Sequence, residues 1–220
     1  MKIELNMTRP RISLESAASA IAAVSRGELV VVVDNEAREN EGDLVMAADM
    51  VNSTSINFMI THGRGLVCLA ITAERALALN LPPMVQTNQD HMGTAFTVSI
   101  DGTLAKGVTT GISAKERALT IALAVSGNAS DLQRPGHVFP LIARDGGVLR
   151  RPGHTEASVD LARAAGRYPA GVIVEIIGDD GEMMRRDDLR VFADRHGLVM
   201  TSIELLRDYL IANRGAGELS

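Results

Sequence analysis

A single cysteine, no tryptophan and 3% aromatic residues remove several kinds of chemistry from this 220-residue chain. One Cys excludes an internal disulfide framework and any Cys-rich zinc site. So few rings leave no stacking platform for bases or sugars. Positive charge is short as well. There are 22 Lys and Arg against 27 Asp and Glu, a formal net charge of −5, which argues against binding a phosphate backbone over a wide surface. The apolar run Leu29 to Val33 is far too short to cross a bilayer, and no charged-then-apolar leader opens the chain. No stretch rich in Pro, Gly or Ser marks a linker. What remains is an ordinary globular balance, 46% hydrophobic and 22% charged, with mean hydropathy +0.10, in a chain long enough to bury a real core. The expectation is a soluble, cytoplasmic protein with neither a nucleic-acid nor a membrane partner. Its basic residues are nearly all Arg, the better fork for small phosphate and carboxylate ligands.

The apolar spacing predicts a mixed arrangement of strands and helices. Ser13 precedes Leu14, Ala17, Ala18, Ile21 and Val24 at helical period, and Gly27 supplies the stop. Leu29–Val33 reads as a buried strand, Gly65–Ile71 as another, and the alternating Thr94–Ile100 as a half-buried one. Ser113-Ala-Lys-Glu116 opens a helix to about Val125 as a capping box. Thr155–Ala165 is a helix closed by Gly166. Val172–Ile177 is a strand followed by a turn at Gly178–Gly181. A short helix over Asp187–Arg195, a strand stub at Leu198–Met200 and a last helix capped near Thr201–Glu204 complete the pattern. Residues 1–12 and 214–220 are expected to be loosely held ends. The strands and helices do not alternate as βαβ units, so one mixed-sheet domain over 1–220, with its core at about 13–212, is expected.

Three segments carry candidate chemistry. Asp34-Asn-Glu-Ala-Arg-Glu-Asn-Glu-Gly-Asp43 places five carboxylates within ten residues, directly after a buried strand. Hard divalent cations want oxygen ligands, and strand ends are where such sheets present ligands; a solvated acidic loop is the plain alternative. Gly42 suggests a tight turn that lets Glu39 and Asp43 converge. Arg134-Pro-Gly-His137 recurs as Arg151-Pro-Gly-His154. Pro-Gly predicts a turn holding each His free to act as base, acid or ligand, although a lone His is more often structural. His154-Thr-Glu156 also opens a helix, where free N–H groups favour an anion. Gly107-Val-Thr-Thr-Gly111 precedes a helix start and suits a phosphate, or merely makes a turn. It lacks the Lys of a nucleotide-binding loop. Glu175 sits on the opposite strand face from Val174 and Ile176, and Cys68 reads as a small core residue. From the residues alone the chain holds a divalent-metal site that takes a small phosphorylated anion.

Taken together, the Asp34–Asp43 run, Gly107-Val-Thr-Thr-Gly-Ile-Ser113, Arg134-Pro-Gly-His-Val-Phe-Pro-Leu141 and Gly153-His-Thr-Glu-Ala157 closely resemble the 3,4-dihydroxy-2-butanone 4-phosphate synthases. The resemblance runs from about Ser13 to the last helix. It implies an α+β fold, a compact domain of mixed β-sheet packed by helices, and a homodimer with active sites near the subunit interface. It also implies a reaction of riboflavin synthesis. D-ribulose 5-phosphate becomes formate and L-3,4-dihydroxybutan-2-one 4-phosphate, with Mg2+ or Mn2+ required and two ions per site. The implied course is enolisation at C3, loss of the C1 hydroxyl, a skeletal 1,2-shift and expulsion of C4 as formate. Carried over by position, Glu39 and His154 correspond to metal ligands, and His137, Glu175 and Asp34 to catalytic residues. Arg38, Asp43, Arg151, Pro152, Gly153 and Thr155 correspond to substrate-binding positions, joined by Glu39, His154 and Glu175. Cys68 and Thr110 are further substrate contacts. Asn35 and Ala37 stand where relatives often carry acids and are left out of the site. The length leaves no room for the GTP cyclohydrolase II domain often fused to this family, so a stand-alone enzyme is expected. A tRNA-modifying nucleotide binder of related fold would need a basic opening that a net-acidic chain does not supply. A non-catalytic sugar-phosphate sensor would have no need to keep Glu39, His154, His137 and Glu175 together.

Overall fold

The computed structural model describes residues 13–213; the two expected loose ends lie outside the described residues. Four successive valines suit a strand covered on both faces, and Val30–Val33 forms β1, fully buried. Six more strands join it: β2 (Gly42–Ala47), β3 (Cys68–Ile71), β4 (Ile100–Gly102), β5 (Leu132–Ile142), β6 (Gly171–Glu175) and β7 (Val199–Ser202). They make one seven-stranded sheet in the order β4-β5-β3-β6-β2-β1-β7. The β5–β3 and β1–β7 pairs are parallel and the others antiparallel. Seven helices pack on it: α1 (Ala17–Ser25), α2 (Ser53–Phe58), α3 (Ala73–Ala78), α4 (Ala114–Ser126), α5 (His154–Ala164), α6 (Arg186–His196) and α7 (Ile203–Asn213). The result is a single compact α+β domain with a mixed sheet.

Strand alternation sorts the core into two layers. Leu44, Leu69, Val172 and Val174 join Ile56 of α2, Ile121 of α4 and Leu189 and Phe192 of α6. On the other face Val32, Val45, Cys68 and Ile173 meet Ala20 and Ala23 of α1, Ala157 and Leu161 of α5 and Leu206 of α7. The small side chains of α1 let that helix lie close to the sheet.

Several sequence expectations shift. The first helix starts at Ala17, because the Ser16 hydroxyl, not that of Ser13, caps it by accepting from Ser19 N. Thr94–Ile100 is not a continuous strand. It touches its neighbours through bridges at Phe96 and Thr97, and β4 begins only at Ile100. Its alternation reflects a loop laid along β5, with the buried Thr97 hydroxyl donating to Pro140 O. The first Pro-Gly segment makes no turn either. Arg134–His137 lies within β5 as a four-residue excursion out of register with β4, with a cis Arg134–Pro135 bond. Gly136 is required there by crowding, since a Cβ would stand 2.0 Å from the Ile100 carbonyl carbon in β4. Backbone cannot rotate away as a flexible side chain can. Gly136→Ala is therefore expected to lose at least the roughly 1–3 kcal/mol typical of overpacking, read as a lower urea midpoint; wild-type stability would contradict this close approach. Gly42 is likewise a packing glycine, its absent Cβ making room for Leu189 of α6 at 2.6 Å. The reversal itself falls on Asn40, at φ 54°.

Candidate active site

The acidic run folds into a loop between β1 and β2 that is tied around one carboxylate. Asp34, buried at the end of β1, accepts from Glu39 N, Glu41 N and Arg38 Nη1 at 2.9–3.0 Å. Asn35 accepts from Ala37 N through its side chain and from Arg38 N and Asn40 N through its carbonyl. Arg38 reaches on to Glu39 Oε2 at 2.5 Å. Asp34 thus organises the loop, and its carboxylate oxygens are already occupied by loop donors.

Beyond the loop lies a cavity of about 160 Å3. Its wall carries Arg38, Glu39, Glu41 and Asp43 from the loop and β2, Cys68 from β3, Glu175 from β6, and Arg151, His154 and Thr155 around the start of α5. A larger cavity of about 310 Å3 sits behind the loop, lined by Asp34, Arg38, Pro152 and Arg186 among others. Chemistry rather than size distinguishes the two, since four acids and a histidine converge only on the smaller. Asp43 and Glu175 are direct partners across β2 and β6, so their carboxylates share one face, and Glu175 does face away from Val174 and Ile176. Glu175 Oε2 accepts from Leu66 N at 2.8 Å. A side chain at Gly65 would collide with it.

His154 does open a helix but is not held free, being 7% exposed and sealed between α5 and β1. Its Nε2 faces Val32 O at 3.2 Å, while Nδ1 faces Glu39 Oε2 at 3.7 Å and Asp43 Oδ2 at 4.0 Å. These are ion-pair distances, longer than a hydrogen bond. Burial alone would lower the imidazole pKa. Asp43 foremost, then Glu39 and Asp34, outweigh it and raise it to about 9. Burial likewise pushes Asp43 up to about 7, with His154 opposing and Glu175 and Glu39 reinforcing the rise. His154 and then Arg38 hold Glu39 below the usual carboxylate range against its partial burial. Burial pushes the Cys68 thiol far up, which keeps it a neutral wall group.

The donor set suits a hard divalent cation. Among the described residues no three His, Cys, Asp or Glu side chains form a closed cage. Glu39 and His154 are two donors that could hold a cation between them, its other positions left to water and substrate oxygens, as Mg2+ prefers. An Nε2–H bond to a carbonyl, leaving Nδ1 for the metal, is the usual way of orienting a histidine ligand.

Arg151 lines the same cavity but is not a free fork. Its Nη1 donates to Glu156 Oε2 at 2.7 Å, and its Nη2 to Met92 O at 3.1 Å. Glu156 is buried and also accepts from Arg144 N. Arg151→Ala is expected to cost on the order of 3 kcal/mol of stability, because it strands a buried carboxylate, besides weakening phosphate binding by roughly 10- to 150-fold. Thermal melts with Arg151→Lys alongside check this, since Lys keeps the charge and so most of the stability. Gly153 is the N-cap of α5, and Pro152 lines the rear cavity rather than the front one.

Thr110 and His137 lie elsewhere. The Gly107–Gly111 loop already holds an anion, the carboxylate of Glu116. It accepts from the Thr109 amide and hydroxyl at 2.6 Å and from Gly111 N at 3.2 Å. Those bonds, the Thr109 hydroxyl first, hold Glu116 at about 2. The Thr110 side chain is exposed and does not line the cavity. His137 Nδ1 is paired with the buried Asp101 Oδ2 at 2.8 Å, and His137 N donates to Asp101 Oδ1. The rest of the ring is open, its side chain 44% exposed. The sheet register pairs Cys68 with both Ile173 and Phe139, and His137 lies just before Phe139, at the end of the four residues of β5 that loop out of register with β4 between Gln133 and Val138. Asp101, Thr94, Phe96 and Glu156 were not singled out as site residues in the sequence and reach their places by folding, whereas Glu41 came with the acidic run.

A family model described as 3,4-dihydroxy-2-butanone 4-phosphate synthase matches residues 18–209. The riboflavin biosynthesis protein RibBA of Aquifex aeolicus (strain VF5) is 56% identical over 203 residues, covering 91% of this chain and 50% of that protein. A 3,4-dihydroxy-2-butanone 4-phosphate synthase of Agrobacterium fabrum (strain C58) is 52% identical over 193 residues, covering 87% of this chain and 90% of that one. The chain thus spans about half the length of some curated relatives and nearly all of others. A crystal structure of a 3,4-dihydroxy-2-butanone 4-phosphate synthase in complex with two magnesium ions superposes with a TM-score of 0.87. It is 42% identical and covers 94% of this chain and 100% of that chain.

Proposed function

The chain belongs to the 3,4-dihydroxy-2-butanone 4-phosphate synthase family, and on that footing we propose that it converts D-ribulose 5-phosphate to formate and L-3,4-dihydroxybutan-2-one 4-phosphate, a precursor of riboflavin. The observation that carries this reading is the convergence of Glu39 and His154 at 3.7 Å above the Asp43–Glu175 pair in one cavity. Formate and the four-carbon product together contain all the atoms of the substrate, since the water lost in one step returns in another. No oxidant is needed. The difficulty lies instead in forming and moving enolate charge.

Glu39 and His154 would hold magnesium, with manganese as the alternative, and two ions per site are proposed by analogy with the solved relative. When bound, the metal supplies a positive charge that polarises the sugar's oxygens. The chain's own residues do the rest. Asp43 and Glu175 stand side by side across β2 and β6, a pair of carboxylates placed to serve as acid and base. Burial keeps Asp43 able to hold a proton near neutral pH, while Glu175 lines the cavity with one oxygen held by Leu66 N. Arg38, Arg151, Thr155 and the opening amides of α5 supply the donors for the phosphate. Asp34 acts on the chemistry by holding the loop that carries Glu39. His137, oriented by Asp101, serves as the mobile proton carrier. A homodimer is proposed as well. Leu104 and Ile112 beside the Thr110 loop, and Leu66 just before β3, are exposed apolar side chains of the kind a second copy would cover.

Incubating the purified chain with ribulose 5-phosphate and Mg2+, and following formate by proton NMR, tests the reading. One formate per sugar phosphate consumed, halted by EDTA and restored by Mg2+ or Mn2+, is the expected result. Consumption of the sugar without formate would contradict it.

A further inference from the structure

The loop that presents Glu39 is fastened to the rest of the fold by two side chains far away in sequence. Within itself it is tied by Asp34 and Asn35. Among the described residues, the hydrogen bonds its backbone receives from other elements come only from Arg185 and Arg186, at the start of α6. Arg185 Nη1 donates one proton to Glu39 O at 2.9 Å and the other to Asn40 O at 2.8 Å. Arg186 Nη2 donates to Asp34 O at 3.0 Å. Asn40 is the left-handed residue of the reversal, so Arg185 grips the carbonyls on either side of the turn. Among the described residues a cavity of about 310 Å3 borders the loop, and Arg185 Nη1 also stands 4.0 Å from Glu41 Oε1.

The placement of these arginines works against the helix they begin. Arg185 is the N-cap of α6, where it makes no capping bond, and Arg186 is its first residue. Cations at a helix N-terminus oppose its dipole, and Ser, Asp or Asn is the usual choice. Asp187 and Asp188 in the first turn offset that charge. Such a local conflict is expected where a residue serves another element.

We infer that Arg185, assisted by Arg186, is a positioning residue: it sets the conformation of the 35–41 loop so that the Glu39 carboxylate stands opposite His154 Nδ1. Arg185 is not among the residues that line the cavity of Glu39 and His154. It acts through Glu39, and the inference rests on the reading of Glu39 and His154 as metal ligands. It also places the control of cation affinity in α6, whose Leu189 packs against Gly42 at the start of β2.

The test uses Arg185→Met, which keeps the stem and removes the donors, and Arg185→Lys, whose ammonium can still serve both carbonyls. Arg185 is half-exposed, so neither variant empties the core. The amides of Ala37, Arg38, Glu39, Asn40 and Glu41 are all hydrogen-bonded within the loop, and their hydrogen exchange reports its opening without metal or substrate. Mn2+ alone, followed by the EPR signal of the free ion, reports affinity. Arg185→Met is expected to speed loop exchange and weaken Mn2+ binding by about tenfold each, the scale of one bond to a charged donor. Exchange in β3 and β6 stays as in the wild type, and Arg185→Lys recovers most of both losses. Unchanged loop exchange in Arg185→Met overturns the inference, as does faster exchange with undiminished Mn2+ affinity. Failure of the wild type to take up Mn2+ defeats the metal reading beneath it, and that result is distinct because it needs no variant.

Discussion

Glu39→Gln is expected to lower formate release from ribulose 5-phosphate by about 10³-fold or more, on the scale of the several kcal/mol of charge stabilisation that a bound cation supplies. The substitution changes only charge and donor character. The side chain is 28% exposed on a loop, and Arg38 keeps its bond to Asp34 when Glu39 is neutralised, so the thermal midpoint stays near that of the wild type. An amide oxygen is a poor ligand for a hard cation, so Mn2+ uptake falls in parallel. Formate NMR at saturating sugar, with melting curves on the same samples, checks this. Near-normal turnover would remove Glu39 from the metal site. His154 is a blunter probe, because its ring is buried and anchored to Val32 O, so its replacement by Ala also opens a cavity.

His137→Asn is expected to reduce kcat by 10²–10⁴-fold, the usual contribution of a positioned acid–base group, with little change in KM. The structure supports a proton-transfer role through Asp101. That buried carboxylate takes the Nδ1 side of the ring and leaves Nε2 facing outward, the orienting arrangement a catalytic imidazole requires. Asp101→Asn is then expected to give a smaller loss of the same kind, since the ring remains and only its orientation and basicity suffer. Steady-state kinetics of both variants against pH separate the cases. A rise in KM alone for His137→Asn would make His137 a binding residue.

Much of the framework was legible because it rests on local pattern. The valine run became β1, Gly166 and Gly197 end α5 and α6 with positive φ, and Glu175 faces where a period of two puts it. The acidic run was legible as a site, and Glu39 and Asp43 do meet in one cavity. What local pattern did not reveal depends on which side chains and backbone segments the fold brings into contact. Gly136 reads as a turn residue until β4 is laid across it. The Gly107–Gly111 loop reads as a phosphate cradle until Glu116, in the first turn of α4, fills it. Arg151 reads as a free fork until Glu156, buried by the folding of α5, claims it. Asp101 and Arg185 carry no local mark at all; their partners lie 36 and 146 positions away in sequence.

The most direct test of the central claim uses ribulose 5-phosphate labelled with carbon-13 at C4 only. The account predicts that the chain with Mg2+ releases labelled formate and leaves the four-carbon phosphate unlabelled. Unlabelled formate, or a four-carbon product that keeps the label, would contradict it.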